Sequence, residues 1–337
     1  MNKWIKVTTI ALILAILCLP IKPVLAAEMN FSVQAIIPEN QVDTSKTYFD
    51  LKMKSGQEQD LQVQLQNNTA KNMIIVMSAN TAITNDNGIV EYNNKSKKKD
   101  DSLKYAFSDL AVAPKEVELP AKTTKTVKIH VKMPAKEYDG VILGGLYFTE
   151  KEDAGKKKKS EKSQVLNHYS YTIGVQLSET DKKVQPHLRL NKVEPGQVNY
   201  RNVLKANIQN NKATIIKDLK ITGKVYKRKG TKPLYENTLD NLRMAPNSNF
   251  DFAVHLNNKK FEPGKYTFKG LATSGSSKWK FEKDFTIKGD QANDFNNQAV
   301  DVKKDYTWLY MLLGGLLILI LIGIIFFLIY KLKKQRK

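Results

Sequence analysis

From Trp308 to Ile329 the chain carries no charged residue, and this apolar run limits what the rest of the sequence can be. A helix rises about 1.5 Å per residue, so such a run reaches roughly 33 Å, enough to cross a hydrocarbon core of about 30 Å. Tyr306, Trp308 and Tyr310 on one flank and Tyr330 on the other match the aromatic belts of membrane interfaces. Lys331, Lys333, Lys334, Arg336 and Lys337 follow as a positive stop. Residues 306–330 are therefore expected to form a transmembrane helix and residues 331–337 a basic cytoplasmic tail, with everything before them outside the cell. Residues 294–307 contain no LPxTG-type sorting motif, so the helix is expected to stay as the anchor.

Residues 1–26 have the pattern of a secretory signal peptide. Lys3 and Lys6 give a positive start, an apolar stretch runs from Ile10 to Leu19, and Val24, Leu25 and Ala26 precede the expected cleavage point. Pro20, Lys22 and Pro23 end the apolar stretch too soon for it to span. The one cysteine, Cys18, lies inside this segment, so the mature chain would carry no thiol for disulfides, thiolate metal sites or nucleophilic chemistry.

Of the 54 Lys+Arg residues, three fall in the signal and five in the tail, which leaves 46 against 33 Asp+Glu, or a net +13 outside the membrane. A basic exported surface favours polyanions, and anionic wall polymers fit that location where nucleic acid does not. Clusters such as Lys97–Lys99 and Lys156–Lys159 equally suit solvated loop tips.

The exported part is expected to be all-β. Leu61, Val63 and Leu65, then Val127, Ile129 and Val131, then Phe250, Phe252 and Val254 alternate with polar residues at the period of a half-buried strand. Short strands between Asn, Gly, Pro and Lys turns point to β-sandwiches. The chain also repeats itself. Leu65-Gln66-Asn67-Asn68 is echoed by Ile208-Gln209-Asn210-Asn211, and Pro120, His130, Gly140 and Gly145 are paralleled by Pro246, His255, Gly264 and Gly270. Two tandem immunoglobulin-like sandwiches are expected, over residues 27–183 and 184–288, the first carrying an insertion from Ala82 to Lys115. Residues 289–305 are polar and are expected to form a tether.

Catalytic constellations are missing. His130 and His255 lie on polar strand faces, His168 and His187 stand alone, and no metal-ligand spacing, Gly-x-Ser-x-Gly or paired-carboxylate motif is present, so neither an enzyme nor a cofactor is expected. Thr84-Asn85-Asp86-Asn87-Gly88 offers oxygens, but the further ligands of a calcium loop are missing, and a turn with Gly88 at positive φ is expected. Val141–Phe148 and Tyr169–Leu177 are expected to pair as a hairpin. Gly144, Gly145 and Gly174 weaken these strands, and glycines in strands mark bulges or close approach of another backbone. With Tyr147, Tyr169 and Tyr171 they make this hairpin the candidate docking edge for a partner.

Ala35-Ile36-Ile37-Pro38-Glu39-Asn40-Gln41, Thr47-Tyr48-Phe49-Asp50-Leu51, and Thr84 through Tyr92 (TNDNGIVEY) resemble, in that order, the WxL-interacting proteins of low-GC Gram-positive bacteria. Ser55-Gly56 stands where the family would have Pro-Gly. The resemblance implies an N-terminal peptidoglycan-binding domain, a C-terminal host-binding domain and a partner that carries a WxL domain. The function expected is then a membrane-anchored surface adaptor that binds peptidoglycan and a WxL-domain protein. An adhesin for host matrix proteins and a chaperone-like assembly factor remain as alternatives. Two sandwiches in series reach roughly 70 Å from the membrane, less than the thickness of a Gram-positive wall, which favours the adaptor.

Overall fold

The computed structural model describes residues 29–93, 98–152, 169–302 and 307–335. The expected signal peptide, Lys97, Lys156–Lys159, His168, Tyr306, Arg336 and Lys337 lie outside the described residues. The chain divides into two compact units. The first holds everything up to Thr81 together with Tyr105–Tyr138 and Leu143–Thr180; the second holds Ala82–Lys104, Asp139–Ile142 and everything from Asp181.

The first unit is a sandwich of a four-stranded and a five-stranded sheet. β1 (Phe31–Ile36), β3 (Glu58–Asn67), β9 (Thr124–Lys132) and β7 (Ala111–Val112) form one in that order. The other has the order β2 (Phe49–Lys52), β11 (Ser170–Ser178), β10 (Val141–Glu150), β4 (Met73–Thr81), β8 (Glu116–Leu119). The alternation read in the sequence decides which face is buried: Leu61, Val63 and Leu65 of β3 and Val127, Ile129 and Val131 of β9 all turn inward. They meet Phe49, Leu51, Ile75, Phe148, Val175 and Leu177 in the core.

The second unit repeats the layered plan. β12 (Leu188–Val198), β13 (Arg201–Asn210) and β16 (Ser248–His255) form one sheet. β15 (Tyr235–Met244), β14 (Ile216–Lys227), β17 (Gly264–Ser274) and β18 (Ser277–Ile287) form the other. Phe250, Phe252, Ile208, Leu219, Ile221 and Phe268 are at its centre. The repeat seen in the sequence has a structural cause. Asn67, at the end of β3, donates to the carbonyls of Lys71 (2.8 Å), Leu119 and Pro120 (3.0 Å each). Asn210, at the end of β13, donates to those of Thr214 (2.7 Å) and Ala245 (2.9 Å). Both side chains are buried and hold the turn that follows their strand onto the connection that precedes β9 or β16.

Two expectations are corrected here. The insertion does not belong wholly to the first domain, because Ala82–Lys104 packs in the second unit. Thr84 Oγ1 lies 2.6 Å from Ser248 Oγ and accepts from the Ala245 amide at 3.0 Å, and the Arg243 amide donates to the Gly88 carbonyl. The expected turn is present: Gly88 has φ +70° between β5 (Ile83–Thr84) and β6 (Val90–Glu91), and lies against the Leu242 side chain. This hairpin covers the side of the sandwich where β15 and β16 end their sheets, which shields edges that would otherwise offer open backbone groups.

The polar segment after residue 288 is likewise no tether over most of its length. Gly289–Gln298 forms a helix, which with the short α1 (Phe107–Leu110) before it is α2. Its Ala292 packs in the core of the second sandwich, Ala299 and Val302 beyond it are buried, and Asn296 bonds Asn202 and both backbone groups of Phe261. The second domain therefore extends to Val302 rather than stopping at Lys288. Beyond it, α3 (Thr307–Gln335) includes Thr307–Ile329, the one helix among the described residues long and apolar enough to cross a membrane.

Candidate functional site

The third correction concerns the proposed docking hairpin. β10 and β11 are neighbours, as expected, but β10 lies between β11 and β4, and β11 lies between β10 and β2. Gly144, Gly145 and Tyr147 thus sit on an interior strand that has no free edge for strand addition. Gly144 is explained by packing, since a Cβ there would lie 2.0 Å from the Phe107 ring of α1. Gly145 is buried opposite Asn80, and Tyr147 is half-buried opposite Ser78. Gly174 has ordinary room, with Tyr48 3.9 Å from where its Cβ would be.

β2 is only four residues long and pairs in parallel with Val175–Ser178, leaving the first half of β11, Ser170–Gly174, beyond its reach. Tyr171 stands in that half. Its ring meets Phe31 edge-on at 5.0 Å, its hydroxyl lies 3.0 Å from Met29 Sδ, and burial raises its phenol above the ordinary value. Tyr171 lines a shallow cleft of about 590 Å³ with Met29, Ser32, Gln66, Asn68 and Lys122. Tyr169 is half-buried just before the strand. Of the hairpin residues, Tyr171 lines this cleft, while Gly174, three residues on, faces the other side of the sheet towards Tyr48.

A second cleft was not foreseen. The outward face of the sheet β12-β13-β16 carries Arg189, Asn191, Asn207, Gln209, Asn249 and Asp251, one polar side chain at every second position. They are laced together. Asn191 donates to Asn207 (2.9 Å), and Asn207 donates to Asn249 (3.0 Å) and Asp251 (2.8 Å). Arg189 donates to Gln209, which donates to Asp100 at 2.6 Å. The segment 98–101 closes one side, and Asp86 accepts from the Asp251 amide at 3.1 Å. The cleft encloses about 780 Å³. Burial works to raise the Asp100 carboxyl, but hydrogen bonds from Ser102, Asn249 and Gln209 outweigh it and hold the group below its ordinary value. The polar alternation in Lys205-Ala206-Asn207-Ile208-Gln209 was the sequence signal for this face. Donors and acceptors make up most of the lining, with Leu190 and Phe250 the apolar members, which suits a ligand rich in hydroxyls, amides or charge.

Among the described residues no group of three or more His, Cys, Asp or Glu side chains is arranged to hold a metal ion. His130 lies between Glu58 (3.4 Å) and Asp60 (3.1 Å) on an exposed strand face, and His187 pairs with Asn211 at 2.9 Å. Trp308 and Tyr310 are exposed at the start of α3, while Tyr330, Lys331, Lys333 and Lys334 fall in its last turns.

Two β-sandwich units with open clefts precede one apolar helix, and their matches to binding-domain families make the chain a surface-associated binding protein. Residues 31–150 match the peptidoglycan binding domain of the WxL Interacting Protein, and residues 160–297 match its host binding domain. The chain belongs to the WxL-interacting protein family. No curated protein matches it by sequence. Among solved structures it is similar to the CsuC–CsuE chaperone and tip-subunit complex of Acinetobacter baumannii. There the identity is 12%, the match covers 75% of this chain and 98% of that chain, and the TM-score is 0.34. The E. coli chaperone DraB gives 13% identity, 77% and 98% coverage, and a TM-score of 0.29. Likeness at that level carries no argument about partner or mechanism.

Proposed function

We propose that the protein is a non-enzymatic adaptor of the bacterial envelope. The first unit binds peptidoglycan or an anionic wall polymer and a WxL-domain partner, and α3 spans the membrane with the basic tail in the cytoplasm. The observation that carries this is the order of parts: two tandem binding domains, matched over 31–150 and 160–297, followed by one 23-residue apolar span. The net positive charge outside the apolar span is consistent with an anionic wall ligand, and the polar cleft of the second unit, with as many Asp as Lys and Arg side chains, with a hydroxylated one. An adhesin for host matrix proteins is less favoured. With residues 289–302 folded onto the second unit, only residues 303–306 separate that unit from the span, and the reach outward is shorter than a tether of residues 289–305 would allow.

Within this proposal the partner-docking site contracts from the whole hairpin to Ser170–Gly174 and the Tyr171 cleft. An immobilised WxL domain is expected to retain the ectodomain, residues 27–302. Gly174→Val should weaken retention by crowding the open half of β11, while Gly145→Ala, on an interior strand, serves as the folding control. No retention of the unaltered ectodomain would remove the WxL partnership. Equal retention of Gly174→Val would remove this docking site alone.

A further inference from the structure

The turn between β12 and β13 holds an aromatic residue in an unfavourable place. Asn199 and Tyr200 have φ of +49° and +58°, a two-residue hairpin turn in which the second position favours glycine. A bulky side chain there is strained. Tyr200 is nonetheless 66% exposed, so little packing among the described residues offsets that strain. Next to it the Val300 amide donates to the Tyr200 carbonyl at 3.0 Å, and Val300 is 68% exposed. Two exposed side chains, one aromatic and one aliphatic, are thus carried by adjoining backbone at one tip of the sandwich.

The chain's own connectivity says what faces that tip. β12, β14, β16 and β18 all run towards the same end, where the turns after them meet: the Leu256 amide donates to the Asn202 carbonyl, and the Arg228 amide donates to that of Lys265. The segment that leads to α3 is fixed at this end through buried Val302 and through the Asp301 carboxylate 3.8 Å from Arg201. From Val302 to Thr307 the backbone can extend roughly 18 Å at most. The headgroup zone outside the hydrocarbon takes up about 5–8 Å of that. The turn loops at the same end carry exposed Lys229, Lys232, Lys259 and Lys260.

We propose that this end of the second domain rests on the outer surface of the bilayer, with Tyr200 and Val300 at the boundary between headgroups and acyl chains and the four lysines over anionic lipid phosphates. Tyrosine suits that boundary because its ring is apolar and its hydroxyl wet. Each lysine near an anionic surface adds attraction that falls off within a Debye length. The proposal rests on α3 spanning the membrane. It makes the domain a seated base rather than a module free to swing on a linker.

The test uses the full chain with Cys18→Ala, reconstituted in nanodiscs of equal parts phosphatidylglycerol and phosphatidylcholine. A nitroxide is placed singly at Tyr200→Cys, at Ser276→Cys on the opposite end of the sandwich, or at Gly315→Cys within α3. Relaxation by lipid-soluble oxygen is compared with relaxation by a water-soluble nickel chelate. The oxygen-to-nickel ratio at 200 is expected to be several-fold above that at 276 and to fall when Lys229, Lys232, Lys259 and Lys260 are changed to Glu. A high ratio at 315 with equal ratios at 200 and 276 overturns the proposal while leaving the span intact. A low ratio at 315 overturns the span and the proposal together. An unchanged ratio at 200 in the four-Glu variant overturns the lipid-phosphate part.

Discussion

A fragment that stops at Glu150, where the match to the peptidoglycan-binding family ends, is expected to be unfolded. The family boundary and the structural boundary differ by one strand: β11 lies inside the second family match yet sits between β2 and β10 in the first unit. Removing it takes Ile173, Val175 and Leu177 out of the core. At about 1.5–3 kcal/mol for each buried aliphatic side chain, the loss is about 5–9 kcal/mol. Backbone groups of β2 and β10 also lose their partners. A domain's whole net stability is only about 5–15 kcal/mol. Extending the fragment to Thr180 should restore a cooperative thermal transition in far-UV circular dichroism. Its segment Ala82–Lys104, deprived of Arg243, Ala245 and Ser248, should then be cut first in limited proteolysis. A cooperative transition in the shorter fragment would show that β11 is dispensable and that the strand order given above is wrong.

Asn67→Ala and Asn210→Ala should each cost about 2–4 kcal/mol, because loss of Asn67 strands three and loss of Asn210 two buried or part-buried backbone carbonyls at once. Asn67 is 1% exposed, and it also accepts from the Thr69 amide at 2.8 Å. Asn210 is fully buried and accepts from the Lys212 amide at 3.2 Å. Asn68→Ala is the control. Its side chain makes one long bond, 3.4 Å to the Met29 carbonyl, and its loss should cost about 1 kcal/mol or less. Urea unfolding of the ectodomain separates these outcomes. Equal costs at 67 and 68 would mean that Asn67 does not hold its turn in the way described.

Much of the fold was legible because it depends on local periodicity. The period-2 alternation in Leu61–Leu65, Val127–Val131 and Phe250–Val254 located strands that bury those residues, and the Gln-Asn-Asn repeat marked equivalent turns. Residues 289–302 were misread because eight of the ten residues of α2 are polar or glycine. The missed signal was spacing: Ala292, Phe295, Ala299 and Val302 recur at helical intervals, the first two pack on the second core and the last two are buried. The passage of Ala82–Lys104 into the second unit could not be read at all. It rests on pairs such as Thr84 with Ser248 and Asp100 with Gln209, joined across more than a hundred residues with no local pattern to announce them.

The candidate site was less legible than the fold for the same reason. Glycines in a strand can indicate a bulge, an approaching partner or a large neighbour, and at Gly144 the neighbour is Phe107, which comes from a distant helix. Edges follow from strand order, and strand order is a property of the whole sheet. β2 is too short to cover β11, which leaves the half-strand that holds Tyr171 outside its pairing.

Co-sedimentation of the ectodomain, residues 27–302, with purified peptidoglycan tests the adaptor most directly. Two preparations are needed, one with its anionic polymers intact and one stripped of them. Saturable binding to the stripped polymer is predicted, with added salt weakening any extra binding to the intact one. Protein that stays in the supernatant with both preparations, while remaining folded, would contradict a role in holding the wall.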